Sequence, residues 1–119
     1  MTLNIDFAPT MLELAGVVAP TGMQGRSLVP LIEHRHPSDW RTEFFYEHYV
    51  LPEILPPSEG VRTERWSYIR WLDENPLIED LYDLRADPLD SHNLAADPEY
   101  GQTLARLQAR WREYREELK

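Results

Sequence analysis

The sequence predicts an α+β fold, a short four-stranded antiparallel sheet packed by a C-terminal amphipathic helix, with further helices at the N-terminal end. Three observations point there. Residues 60–94 alternate strand-like runs with turn residues, and an aromatic, alternating run at 44–50 precedes them. From Tyr100 onward, Leu104, Leu107, Trp111, Tyr114 and Leu118 recur at spacings of 4, 3, 4, 3 and 4, the period of one helix face. The 119 residues suffice for one domain, and the elements group into 1–37 (helix 5–15, a connector, a short helix 28–33) and 38–119 (sheet 41–84, turn 85–97, helix 98–118).

Ile5 to Ala15 reads as the first helix. Asp6 is placed to cap it, and Pro9 falls in the first turn, where a missing N–H does no harm. Ile5, Ala8, Met11, Leu12 and Ala15 share a face that Phe7 and Leu14 widen, so this helix asks for cover on more than one side. Gly16 ends it. The helix starts so soon after Met1 that the reading expects earlier elements for it to pack against. Val17 to Gly25 is a connector punctuated by Pro and Gly. Ser27 then offers a cap for the short helix, with Pro30 tolerated in its first turn.

In the run 44–50, Phe44, Tyr46 and His48 alternate with Phe45, Glu47 and Tyr49. Residues 51–59, with Pro52, Pro56 and Pro57, read as a surface loop. Val61–Thr63 and Trp66–Leu72 form a hairpin if Glu64-Arg65 is its two-residue turn, although these are not favoured turn residues. Asp80–Leu84 completes the set after a turn at Asp73–Pro76. Asp97-Pro98 is a capped helix start with Pro at the first position. The stripe beyond it packs on a sheet; a dimeric coiled coil needs more heptads than it offers.

The net charge of −9 argues against a nucleic-acid partner, which requires a basic face. Residues 104–119 carry five basic and three acidic side chains, a net of +2, leaving −11 on the rest; this weakly basic helix could lie against an acidic body. The chain has no cysteine, hence no disulfide, thiolate metal site or cysteine nucleophile. No apolar run reaches the length of a membrane span, so no membrane partner is expected. The N-terminus lacks the basic start of a signal peptide.

Motifs for zinc hydrolysis, phosphate loops, dinucleotide binding, nucleophile elbows and EF-hands are absent. Asp83, Asp87, Asp90 and Asn93 resemble a calcium loop only superficially, because the spacing is wrong and the bend glycine is missing; Asx-type turns suit them better. His34 and His36 lack a carboxylate partner for a metal. Glu47 and His48, flanked by Tyr46 and Tyr49, have the make-up of a sugar contact, set against an ordinary strand whose polar residues face solvent. Arg62 and Arg65 could hold an anion or form structural ion pairs.

Three stretches together resemble the C-terminal end of the sulfatase family, within the alkaline phosphatase superfamily. Asp6–Val17 with Met23–Leu28 is similar to the last core helix and the loop after it. Tyr46–Tyr49 with Gly60–Ile69 is similar to the small C-terminal sheet, with Ser67 where family members commonly have Lys. Glu79–Leu84, Asp87-Pro88 and Asn93-Leu94 resemble the closing strand and turn. The resemblance makes residues 1–37 the end of a larger α/β sulfatase domain and 38–119 its C-terminal subdomain. It implies hydrolysis of a sulfate ester, on a carbohydrate, by an enzyme with calcium and a formylglycine made from a Cys/Ser-x-Pro-x-Arg motif. This chain has no such motif, the family's metal ligands lie upstream of the matched region, and so no cofactor is expected in this chain. Alone it is expected to be inactive, since sulfate hydrolysis needs an activated nucleophile and a cationic clamp. The region's role is then to complete the fold and line the pocket, with Glu47, His48 and Arg62 facing substrate. The expected partners are the remainder of the catalytic domain and, through it, a sulfated carbohydrate. An exposed Ile5–Ala15 helix would also favour homo-oligomers. The compartment implied is periplasmic or secreted. The rival is a stand-alone, non-catalytic α+β binding or dimerisation module, whose Ile5–Ala15 helix would bury itself on its own sheet.

Overall fold

The computed structural model describes residues 1–35 and 37–118. They fall into two compact units, Met1–Arg41 and Thr42–Lys119. Sequence placed this boundary at 37/38; it lies at Arg41 because Trp40 and Arg41 are bound into the first unit. The Trp40 indole N–H donates to Met1 O at 2.7 Å, and Arg41 pairs with Asp6.

In the first unit, a 3-10 turn at Asn4–Asp6 leads into α1 (Phe7–Leu14), and α2 is a single turn, Val29–Ile32. Asp6 does not cap α1 with its side chain. Instead its fully buried carboxylate gathers the Leu3 amide at 2.8 Å, the Arg26 amide at 2.9 Å, and both Nη atoms of Arg41, Nη2 at 2.7 Å. Burial alone would raise the Asp6 pKa, but the Arg41 bond and the two amides bring it down to about 2. Thr10 adds a second tie, its hydroxyl donating to Asp6 O at 2.6 Å and accepting from the Leu28 amide at 2.8 Å. Asp6, Pro9 and Thr10 are therefore the buried side of α1, while Phe7, Met11 and Leu14 are more than 60% exposed. The apolar face read from sequence is uncovered. Gly16, at φ +70°, turns the chain out of α1 as expected.

The second unit is a meander of β1 (Glu43–His48), β2 (Ser58–Thr63), β3 (Trp66–Trp71) and β4 (Ile78–Asp83), antiparallel in the order β1-β2-β3-β4. The β2–β3 turn is Glu64-Arg65; Thr63 Oγ1 stabilises these unfavoured residues by accepting from the Trp66 amide at 2.8 Å. Ser58 and Glu59, read as loop from the nearby prolines, join β2 opposite Trp71 and Arg70. Asp97 caps a 3-10 turn at Pro98–Tyr100, its carboxylate accepting from the Glu99 amide at 2.9 Å, and α3 (Gly101–Glu117) follows.

α3 covers one sheet face. Val61, Trp66, Tyr68 and Leu81 meet Leu107 and Trp111, and Phe45, Leu94, Ala95, Tyr100, Leu104 and Tyr114 pack around them. Every stripe residue except Leu118, which is 51% exposed, thus packs on the sheet rather than in a coiled coil. The seam is also polar. Glu43 accepts from Arg110 and from Tyr114 at 3.2 Å. Glu59, with no exposed surface, accepts from the Trp111 indole at 2.8 Å and the Tyr49 hydroxyl at 2.5 Å, and pairs with Arg115 at 3.4 Å. Glu79 accepts from Gln108 at 2.8 Å, Arg70 at 3.1 Å, and Tyr68. The basic helix does lie on acidic acceptors.

Candidate functional site

The pleat and register decide which side chains can act together. Opposite α3 the sheet presents three rows: His48, Ser58, Trp71 and Ile78; then Tyr46, Gly60, Ile69 and Asp80; then Phe44, Arg62, Ser67 and Tyr82. His48 and Arg62 share this face, two rows apart. Glu47, which sequence grouped with them, points to the α3 side, opposite Glu59 in register, and is exposed. The three candidates therefore do not converge, because neighbouring residues of one strand face opposite ways.

His48 is half-buried, and its Nε2 is buried without a hydrogen-bond partner among the described residues. Such an atom is uncommon in folded proteins and marks a place where a partner belongs. Arg62 is held loosely, Nη1 lying 3.4 Å from Ser67 Oγ and 3.4 Å from Asp90 Oδ2. In the row between those of His48 and Arg62, the Tyr46 ring sits against Gly60. A Cβ there would come within 2.3 Å of Tyr68 O and 2.4 Å of the Tyr46 ring, so only glycine admits this ring. Burial pushes the Tyr46 hydroxyl up to about 12, with Arg62 opposing and Asp80 and Asp90 assisting. Burial, then Asp80, also raises Tyr82. Asp80 is itself committed, accepting from the Trp71 indole at 2.9 Å and from Asn93 Nδ2 at 2.6 Å.

Sequence reasoning did not gather Tyr46, Trp71, Asp80 and Tyr82 onto one face. The signal was the two-residue period of β1, β3 and β4, usable only once the register was known.

The remaining candidates are structural. Arg65 grips Asp83 at 2.7 Å and 3.1 Å and so closes the hairpin onto β4. Asp87 accepts from Ser91 and from the Ser91 and His92 amides at 2.7–2.8 Å, the Asx-type turn the sequence suggested. Of the His34–His36 pair, His34 is exposed and His36 lies outside the described residues. Among the described residues no group of three or more His, Cys, Asp or Glu side chains is placed to hold a metal. With no cysteine and no Ser-x-Pro-x-Arg the chain has no precursor for a formylglycine, the described residues offer no set to hold calcium, and no chemical step is assigned to either here.

Residues 1–117 match the family model described as N-sulphoglucosamine sulphohydrolase, C-terminal. An N-acetylglucosamine-6-O-sulfatase of Bacteroides thetaiotaomicron is 36% identical over 104 residues, covering 84% of this chain but 18% of that protein. An enzyme solved in complex with its substrate D-glucosamine-2-N,6-O-disulfate superposes with a TM-score of 0.83 at 32% identity, over 93% of this chain and 23% of its own. A phosphonate monoester hydrolase of Silicibacter pomeroyi superposes with a TM-score of 0.78 at 27% identity, over 98% of this chain and 25% of its own. The chain thus spans about a fifth of the length of the relatives it matches. The match of residues 1–117 to the family model, and a relative 36% identical over 84% of the chain, lead to one conclusion: this chain belongs to the sulfatase C-terminal domain family, within the alkaline phosphatase superfamily.

Proposed function

We propose that this chain acts as the C-terminal subdomain of a sulfuric ester hydrolase on a sulfated carbohydrate, completing that enzyme's fold and lining its substrate pocket. The observation that carries this is the match of residues 1–117 to a sulfatase domain, together with a similar structure that holds a disulfated glucosamine. On this reading the nucleophile and its metal come from the rest of the enzyme, and residues 1–37 belong to the larger α/β domain. The uncovered Phe7, Met11 and Leu14 suit a surface that the rest of that domain covers.

Within the subdomain, His48 is the substrate contact we favour. Its unpartnered Nε2 can hydrogen-bond a sugar hydroxyl, and the Tyr46 ring beside it supplies a flat apolar surface. Arg62 lies two rows away on the same face with donors to spare, whereas Glu47 could reach a ligand only around the end of edge strand β1.

The first experiment is to read the coding DNA upstream of Met1. An in-frame Cys/Ser-x-Pro-x-Arg motif with metal-ligand aspartates is expected; a stop codon directly before Met1 would leave the stand-alone binding or dimerisation module. The second replaces the matching segment of the N-acetylglucosamine-6-O-sulfatase with this chain and follows sulfate release. The chimera should turn over, and His48→Ala should raise KM more than it lowers kcat; no change in either would overturn the role given to His48. The phosphonate monoester hydrolase likeness favours one further reading, a phosphonate ester as substrate, so the chimera is assayed on both ester classes.

A further inference from the structure

The two edges of the sheet are finished differently. Along β4 the exit segment closes the edge. Asn93 Oδ1 accepts from the Leu81 amide at 3.0 Å, Asn93 Nδ2 donates to Glu79 O at 3.2 Å, and the Leu94 amide donates to Leu81 O at 2.8 Å. Along β1 the described residues of the second unit supply no counterpart. Among the described residues, the backbone groups of Glu43–His48 find backbone partners only in β2. Exposed edges are normally blunted by lysine, proline, a bulge or a cover. β1 has neither Lys nor Pro, and it pairs residue for residue with β2, with no bulge. One of its two carboxylates, Glu43, is already neutralised by Arg110.

We propose that a second copy of this chain pairs antiparallel along β1, joining two four-stranded sheets edge to edge. Two registers pair five of the six β1 residues. A two-fold axis normal to the sheet keeps both α3 helices on one side, so residues facing each other must share a sheet face. Centred on Phe45, the pairing sets Glu43 opposite Glu47 of the other copy, so each Arg110 faces two carboxylates instead of one and the surplus negative charge disfavours this register. Centred on Tyr46, it sets Tyr46 opposite Tyr46, Phe45 opposite Glu47 and Phe44 opposite His48, with no like charges and with aromatic cross-strand pairs. The second register is the one that forms. Main-chain hydrogen bonds supply the attraction, as in other strand-addition complexes.

The exposed face of α1 is a competing route to association, so the test removes it. The full chain carrying Phe7→Ser, Met11→Ser and Leu14→Ser, and the unmodified chain, are followed by sedimentation and by amide exchange near physiological salt, where the charge of −9 is screened. In a monomer, alternate β1 amides point away from β2 and exchange fast. We expect a reversible dimer at about 100 µM in both proteins. Those outward β1 amides should slow by at least about tenfold on going from dilute to concentrated solution. Protected Val61 and Leu81 amides report that the sheet is folded. A monomer at about 100 µM, or a dimer whose outward β1 amides exchange as fast as on dilution, overturns the proposal.

Discussion

Arg41→Met isolates the most heavily bonded carboxylate of the first unit. Asp6 is fully buried and the Arg41 side chain is 12% exposed, so the substitution strands a charge away from water. Removing one partner of a buried ion pair costs about 3–5 kcal/mol. The Leu3 and Arg26 amides still hold the carboxylate, so the lower end, about 3 kcal/mol, is expected. The same pair sets an acid dependence. Burial opposes ionisation of Asp6, but its hydrogen bonds prevail and lower its pKa from 3.8 to about 2 in the fold. A group whose folded pKa lies below its unfolded one stabilises the fold above the unfolded value. The contribution, about 2 kcal/mol, is therefore complete above pH 3.8 and disappears as pH falls through about 2. The assay is exchange of the Leu3 and Arg26 amides, with urea unfolding, at about pH 7, 4 and 2. Wild type should lose protection across the two lower points, and Arg41→Met should already be weakened at the highest. A variant within about 0.5 kcal/mol of wild type at neutral pH, or one with the wild-type acid slope, would refute this account of Asp6.

Three further outcomes follow from the second unit. Trp111→Phe removes the indole donor from wholly buried Glu59 and should cost about 1–3 kcal/mol in urea unfolding. Asn93→Ala deletes its bonds to Leu81, Ala95, Glu79 and Asp80, and should cost about 2 kcal/mol while speeding exchange of the Leu81 amide. Gly60→Ala forces a methyl against Tyr68 O and the Tyr46 ring; a loss above about 2 kcal/mol, read from the urea midpoint, is expected.

The parts of the fold that were legible in sequence depend on neighbours in the chain. The apolar stripe from Tyr100 to Tyr114, the Asp97-Pro98 start and the alternation of β1 and β3 are periodic or local, and the structure keeps them; only Leu118, the last of the stripe, is left exposed. What escaped depends on distant partners. Asp6 looks like a helix cap until Arg26 and Arg41, 20 and 35 residues away, claim its oxygens. Ser58 and Glu59 look like loop among prolines until Arg70 and Trp71 pair with them. The site was legible to the same limit. Alternation alone separates Glu47 from His48, and grouping them came from their neighbouring sugar-binding residue types rather than from the strand's period. Arg62 joins His48 on one face only through the β1–β2 register.

The acidic seam under α3 has a consequence for how the terminal helix is indexed. An apolar stripe alone leaves a helix free to slide, since a shift of about 5.4 Å, one turn, brings similar side chains back into place. Glu43, Glu59 and Glu79 take donors from Arg110, Trp111, Arg115 and Gln108, which sit on successive turns. A slip by one turn would strip all three carboxylates of these donors at once, and Glu59 has no water to fall back on. The seam works like the wards of a lock, passing one axial setting of the helix and rejecting its near neighbours. Changing that setting requires coordinated replacements on sheet and helix together.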